Sequence, residues 1–510
     1  MTASGRPLSS SAISRRMALR LSVLALATGG TALLAACGAS PASTGTGTAT
    51  TAASTAVLST PGGAAATSSA TPSGVVTSGI ATSAVKATTT SATKAGAATA
   101  TSSTVANVVP KAGTVNFWAY VSNPAEAGQY DGYAKKYVAA NPGKQVAVSG
   151  TGGDYYTKLQ TMMAGGAPPD VVMLNNIVFP SYAAKGTLQD LSSLIARDKY
   201  PLDDFYPITY EAFTWQGAKL GLSTDLYVVG FYYVPQMFQA AGIKEPDATW
   251  TWTDVQDAAI KLTRPDKSQF GIRVYNDYAR WCMPVWDYGA DFFDKDENPT
   301  KAMFDQQGVI DAVSLWVNMI QKDHSSPTAA ELKANPQLGG FWFGTYAMDL
   351  VDGPTILSLV QKNKANLAWA VAPYPKGPSG KNSTAAFPDG LQIPKGSKEV
   401  DNAWTFLKYL VSPEFLTTFA ADTGRMPSRK SLAEGAGYQK PFQDAGVQHT
   451  DQLPAAATYS RVVASSGANL DIRSIANKEM AKSWDGSRAV KDSLQTINQQ
   501  VQPLLDQLAK

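Results

Sequence analysis

Four aspartates, Asp225, Asp349, Asp352 and Asp389, could supply the pair of carboxylates with which an enzyme cleaves a glycosidic bond. Their spacing fixes no separation and raises no one pKa over another. Other chemistry is poorly provided for. The two histidines, His324 and His449, stand far apart with no Cys or His at metal-ligand spacing. That argues against a zinc centre or a His-based triad and leaves an all-carboxylate site open. His324, in Lys322-Asp323-His324-Ser325, reads as a solvated helix end, and Cys282, between Trp281 and Met283, as a buried small hydrophobe. Neither a Walker A loop nor a dinucleotide glycine fingerprint occurs, so no cofactor is expected.

Composition points instead to binding. All 11 Trp, 21 Tyr and 17 Phe lie beyond residue 110. Part of that excess must be core, and the rest suits a neutral, ring-shaped ligand. Six of the 43 basic residues and none of the 40 acidic ones precede residue 111, so the remainder is slightly acidic although the whole chain is formally +3. No basic footprint for nucleic acid is present.

The first 110 residues stand apart. Arg6, Arg15, Arg16 and Arg20 precede an apolar stretch, Leu21 to Ala36, that is too short for a comfortable membrane span. Its ending, Leu34-Ala35-Ala36-Cys37, resembles the lipobox of bacterial lipoproteins. The resemblance implies a signal peptide over 1–37 and an acylated Cys37 as the new N-terminus. Ser14-Arg15-Arg16 is similar to a twin-arginine export signal, but Ala18 stands where such signals carry a bulky apolar residue, so the export route stays open. Residues 38–110 are almost wholly Ala, Thr, Ser, Gly and Val, with Lys86 and Lys94 the only charges. Such a segment cannot bury enough apolar surface to offset its ordering entropy, and is expected to be a disordered tether spanning roughly 45–50 Å.

The elements that must position any site begin after it. Lys111 to Lys510 is too long for one core and suggests two α/β lobes. Val115, Phe117 and Ala119 alternate as a strand, Ala125 to Ala140 reads as a helix, and 145–148 as a strand. Tyr155, Leu159, Met162 and Met163 share one helical face, and Val171-Val172-Met173-Leu174 is the continuous apolar run of a strand buried on both sides. Strand, helix, strand, helix, strand implies a parallel sheet. Helical stripes recur at Val255/Ala258/Ala259/Leu262, Val309/Val313/Trp316/Ile320, Ala403/Phe406/Leu407/Leu410 and Val490 to Leu508. Further strands are expected at 227–233, 270–274, 342–348, 367–371 and 390–393.

On these elements sits a set of ordered motifs. Asp154-Tyr155-Tyr156-Thr157-Lys158-Leu159-Gln160 is followed by Ala164-Gly165-Gly166-Ala167-Pro168-Pro169-Asp170-Val171-Val172, then Gly186-Thr187-Leu188-Gln189-Asp190-Leu191, and Trp215-Gln216-Gly217. Phe231-Tyr232-Tyr233, Thr249-Trp250-Thr251-Trp252, Phe343-Gly344-Thr345-Tyr346-Ala347-Met348 and Gly424-Arg425-Met426-Pro427 complete the series. In order and spacing this resembles the extracellular solute-binding proteins of ABC sugar importers, of the maltose-binding type. Val234 replaces the Asn that usually follows the Tyr pair.

The resemblance implies a two-lobed periplasmic-binding-protein (Venus-flytrap) fold, crossed by the chain near 223–228, 387–391 and 424–427. Lobe 1 would be 111–224 plus about 390–424, and lobe 2 would be 228–386 plus 428–510. It further implies a monomer, tethered outside the cytoplasmic membrane, that closes on a sugar or oligosaccharide and passes it to a membrane permease. A sugar needs flat apolar faces and bidentate polar groups. At strand ends and crossings the candidates are Trp118, Tyr120, Asp154, Asn175, Asn176, Asp225, Tyr227, Trp281, Trp286, Trp342, Asp352, Asp389 and Arg425, with Tyr288 beside Trp286. Asp154 could equally cap a helix, Asn175 and Asn176 could form turns, and Arg425 could be a hinge residue. Replacing Trp118 or Trp286 is expected to weaken binding more than stability. A secreted glycosidase and a cell-wall carbohydrate adhesin remain the competing classes.

Overall fold

The computed structural model describes residues 113–121, 124–274, 276–363 and 367–509. The expected signal peptide, Cys37 and the linker fall outside the described residues.

Strands β1 (Thr114–Tyr120), β2 (Gln145–Thr151) and β3 (Val171–Asn175) alternate with helices α1 (Pro124–Ala140) and α2 (Tyr155–Ala164). They pair in parallel, Phe117 facing Val148 on one side and Val171 on the other. Helix α1 covers them with Tyr130, Tyr133, Ala134 and Tyr137, a stripe of period 3.6 that is wholly buried. A third helix, α3 (Phe179–Ala183), follows β3, and a small hairpin of β4 (Thr214–Trp215) and β5 (Ala218–Lys219) leads into β6 (Leu222–Ser223).

The chain then leaves this sheet. β7 (Phe231–Tyr233), β8 (Phe270–Arg273), β9 (Tyr346–Asp349) and β10 (Ala370–Ala372) form a separate four-stranded sheet in the order β10-β7-β9-β8. After β11 (Thr384–Ala385), β12 (Asp389–Gln392) returns to the first sheet, whose order is β2-β1-β3-β12-β6. Asp389 lies opposite Asn175 at the C-terminal end of β3, so β12 runs antiparallel to β3 and to β6. The expected parallel sheet is therefore mixed. Its last two members carry the chain out to the other lobe and back from it, which reverses β12 relative to β3.

Helices Val400–Leu410 and Pro413–Thr423 pack Trp404, Phe406 and Phe419 into the first core, and a last departure follows. Residues 436–457 then cover one face of the second sheet, where Phe442 meets Trp369 at 6.3 Å. Short β13 (Ser460–Arg461) pairs with β11. Helices Asn469–Trp484 and Val490–Leu508 close the other face, the latter through Leu494, Ile497, Val501 and Leu505.

Two expected assignments change. Trp342 stands in a 3₁₀ turn, Phe341–Phe343, ahead of β9 rather than in a strand. The segment holding Trp281 and Trp286, without periodicity in the sequence, is a helix, Tyr278–Asp287. Nearly every residue of it is buried, so no polar face exists to reveal the period.

Candidate functional site

The passages between the two sheets meet at one cation. Asp225 follows β6 on the first, Asp389 opens β12 on the second, and Arg425 lies on the third, beyond helix Pro413–Thr423. Nη1 of Arg425 donates to Asp225 Oδ2 at 2.8 Å and also to the Asp389 carboxylate. The Asp389 N–H donates to Asp225 Oδ1 at 3.0 Å. Asp225 is wholly buried, and burial raises its pKa to about 6; Arg425 opposes the rise and Asp389 adds to it. Backbone bonds knit the same passages together, Leu226 N–H to Met426 O at 2.8 Å and Phe387 N–H to Tyr227 O at 2.8 Å.

In the first lobe the strand ends split into two groups. Tyr120 closes β1 with 37% of its surface exposed, its ring 5.4 Å from Tyr155 and 6.3 Å from Tyr156. Trp118 instead points inward and stacks on Tyr155 at 5.8 Å, only 4% exposed. Asp154 occupies the position before α2 without capping it. It pairs with Lys158 at 2.8 Å and accepts from Thr151 Oγ1 at 2.7 Å, and these bonds lower its pKa. Asn175 Oδ1 accepts from the Ile177 and Val178 amides at 3.1 and 3.2 Å, a turn-forming role. Its neighbour Asn176 is 4% exposed, yet neither Oδ1 nor Nδ2 has a partner among the described residues. Its backbone N–H reaches Pro388 O, on the second passage, at 3.2 Å.

In the second lobe, Trp281 is 1% exposed and Trp286 lies under Arg461, whose guanidinium carbon stands 4.5 Å from the ring centroid. Both belong to the lobe core, so neither presents the free face expected of a sugar platform. Tyr288 packs half-buried against the same core. Trp342 lies beneath Arg273, 5.6 Å away. Arg273 also pairs with Asp349 and Asp352. Burial and the Asp349 charge raise the Asp352 pKa to about 7, Arg273 opposing. Tyr227 accepts from the Gly353 N–H at 2.9 Å, and a Cβ on Gly353 would come within 2.3 Å of the Tyr227 ring. Only glycine lets that loop approach so closely.

The passages join a mixed first sheet to a second sheet, each with helices packed on it. Residues 121–415 match the family of bacterial extracellular solute-binding proteins. The chain belongs to that family. Among relatives of this solute-binding protein, a putative binding protein of Brucella abortus is 25% identical over 323 residues, covering 61% of this chain and 75% of the relative. The mannitol-binding protein of Pseudomonas aeruginosa is 26% identical over 300 residues (57% and 64%), and the lactose-binding protein of Rhizobium radiobacter 24% over 347 (65% and 78%). A Listeria monocytogenes ABC substrate-binding protein in complex with cycloalternan superposes with a TM-score of 0.67 at 24% identity, covering 77% of this chain and 99% of that one. The sugar-binding protein MalE from Xanthomonas citri gives 0.67 at 21% identity, covering 77% and 98%. The fold is the two-lobed one of these proteins.

In this solute-binding protein, arginines pair with the carboxylates that the sequence offered as candidates and with others. Asp225 and Asp389 share Arg425, Asp349 and Asp352 share Arg273, Asp277 meets Arg473 at 2.9 Å, and Asp291 meets Arg461 at 2.8 Å. Some polar groups went unnoticed in the sequence. Arg280 stacks on Phe387 at 4.2 Å and donates from Nε to Val351 O at 3.0 Å. Asn276 Oδ1 and Asn469 Nδ2 are buried without partners among the described residues. No local pattern marks Arg280, because these contacts join segments far apart in the chain.

Proposed function

We propose that this chain is the lipid-anchored receptor of an ABC importer, taking up a neutral sugar, polyol or oligosaccharide between its lobes and delivering it unchanged to a membrane permease. The observation that carries the ligand class is Asn176. A buried amide whose oxygen and nitrogen have no partner among the described residues is costly unless a ligand satisfies it, and adjacent hydroxyls of a sugar do so in pairs. Asp225, Asp349, Asp352 and Asp389, the carboxylates that could have cleaved a glycoside, are each paired with an arginine, which argues against that chemistry. Relatives that bind mannitol and lactose support the same class. Tyr120, Asp154, Asn175, Asn176, Tyr227, Trp342 and Asp352 are the side chains we assign to the cleft, while Asp225, Asp389 and Arg425 hold its hinge. Acylation at Cys37, the linker as tether and the permease as partner belong to this reading.

A thermal-shift screen of mono- and oligosaccharides and polyols tests it. A ligand present at 100 times its Kd adds about 2.7 kcal/mol to the stability. Stabilisation with the ligand recovered intact supports a receptor. Cleavage products would make the protein an enzyme, and no stabilisation by any carbohydrate would remove the ligand class.

A further inference from the structure

Besides the contacts of Arg429 and Ser431 with Asp204, the lobes touch through two further contacts that lie side by side. The β4–β5 hairpin reaches from the first lobe, anchored by buried Trp215. Its tip residues Gln216 and Gly217 both have positive φ, 50° and 82°, the backbone of a tight two-residue turn. The N–H of Gln216 donates to Glu297 Oε1, in the second lobe, at 2.7 Å. The second contact joins α3 to the segment before helix Asn469–Trp484. Ser181 Oγ donates to Gly467 O at 3.1 Å. A Cβ at Gly467 would stand 3.0 Å from Ala184 Cβ and 3.3 Å from Leu508 Cδ2, so the missing side chain lets the lobes meet.

These contacts form one interface. Glu297 is bridged to Ser465, and Asn298 N–H donates to Ser465 O at 2.9 Å, which places Glu297 and Gly467 on the same strap of the second lobe. A cavity of about 450 Å³ is lined jointly by Ala184, Gln216, Asn298, Gly467 and Leu508. All of it comes from elements that neither cross between the lobes nor carry the cleft residues assigned above.

We propose that Gln216, Glu297 and Gly467 form a closure latch: contacts made when the lobes come together, which set the affinity for the solute without touching it. The proposal rests on the receptor reading. Apparent affinity scales with the fraction of protein in the binding-competent state, so whatever favours closure tightens binding by the same factor. The Glu297 bond is charge-assisted and the Gly467 contact is steric, so either can be altered alone.

The test uses full-length protein carrying Gly467→Val, Glu297→Ala or Glu297→Gln, with sugar affinity by calorimetry and radius of gyration of the ligand-free protein by X-ray scattering. Gly467→Val wedges the lobes apart; the expected result is a larger radius and an affinity lowered about tenfold or more, with an unchanged melting temperature. Glu297→Ala weakens binding about two- to tenfold, and Glu297→Gln restores it, because its amide oxygen accepts the same bond. Unchanged radius and affinity in both Gly467→Val and Glu297→Ala would overturn the latch. Affinity losses that merely track melting temperature, with no rescue by Glu297→Gln, would overturn it too. If the parent protein binds no carbohydrate, the receptor reading fails, and the scattering comparison still decides the latch.

Discussion

Nη1 of Arg425 lies 2.8 Å from Oδ2 of Asp225, tying the third passage between the lobes to the first. Asp225 has no exposed side-chain surface and Arg425 retains 26%, so water reaches the pair from the arginine side only. Arg425→Ala leaves a buried carboxylate with no cation, and the expected loss at pH 8 is about 3–5 kcal/mol by denaturant unfolding. The folded-state pKa of Asp225 is raised, so its contribution is complete below the ordinary aspartate range and is lost as pH rises through about 6. Protonating Asp225 relieves the stranded charge, so the same variant should lose less at pH 5 than at pH 8. Equal losses at both would show that packing, not charge, accounts for the effect.

Asp287 offers a cleaner pH signature. Burial pushes its pKa to about 8, while hydrogen bonds from Trp252, at 2.9 Å, and from Ser383 pull the other way. A raised carboxyl pKa means stability is greatest below the unfolded value and declines as pH rises towards 8. Asp287→Asn keeps an acceptor for the Trp252 N–H and cannot ionise. Its advantage over the parent protein should grow between pH 5 and 8 by about 1.4 kcal/mol per pH unit. Parallel stability–pH curves would contradict the assignment.

Trp118, Trp281 and Trp286 are expected to act on stability. Each is buried, and truncating a buried tryptophan costs about 3–5 kcal/mol. Trp118→Ala and Trp286→Ala should therefore lower the melting temperature of the ligand-free protein sharply. This reverses the expectation formed from the sequence. A variant that melts normally but binds sugar poorly would return its tryptophan to the cleft.

Asn176→Leu separates ligand from scaffold at a single position. Removing an amide whose two polar atoms lack partners among the described residues should leave the ligand-free protein as stable as before, or slightly more so. Sugar affinity should fall at least tenfold, about 1.4 kcal/mol. Unaltered affinity in isothermal titration would exclude Asn176 from the site.

Much of the scaffold was legible before any coordinates. The stripes at Val255 and Val490 become helices Trp252–Leu262 and Val490–Leu508, and 171–174 is a strand buried on both faces, because periodic burial is written directly into residue order. Trp281 and Trp286 were misread because a helix buried on all sides carries no period. Asp225, Asp389 and Arg425 were singled out for their positions at crossings, but sequence could not distinguish ligand contacts from mutual compensation. That depends on one guanidinium reaching two carboxylates from other passages.

The order of residues alone determined the alternation of strands and helices and the family resemblance carried by its motifs, since both are properties of neighbours along the chain. Tertiary structure alone decided which aromatics are core, which aspartates are neutralised, and where the lobes touch. Burial and ion pairing are set by distances across segments far apart in sequence, and those distances exist only once the chain has folded.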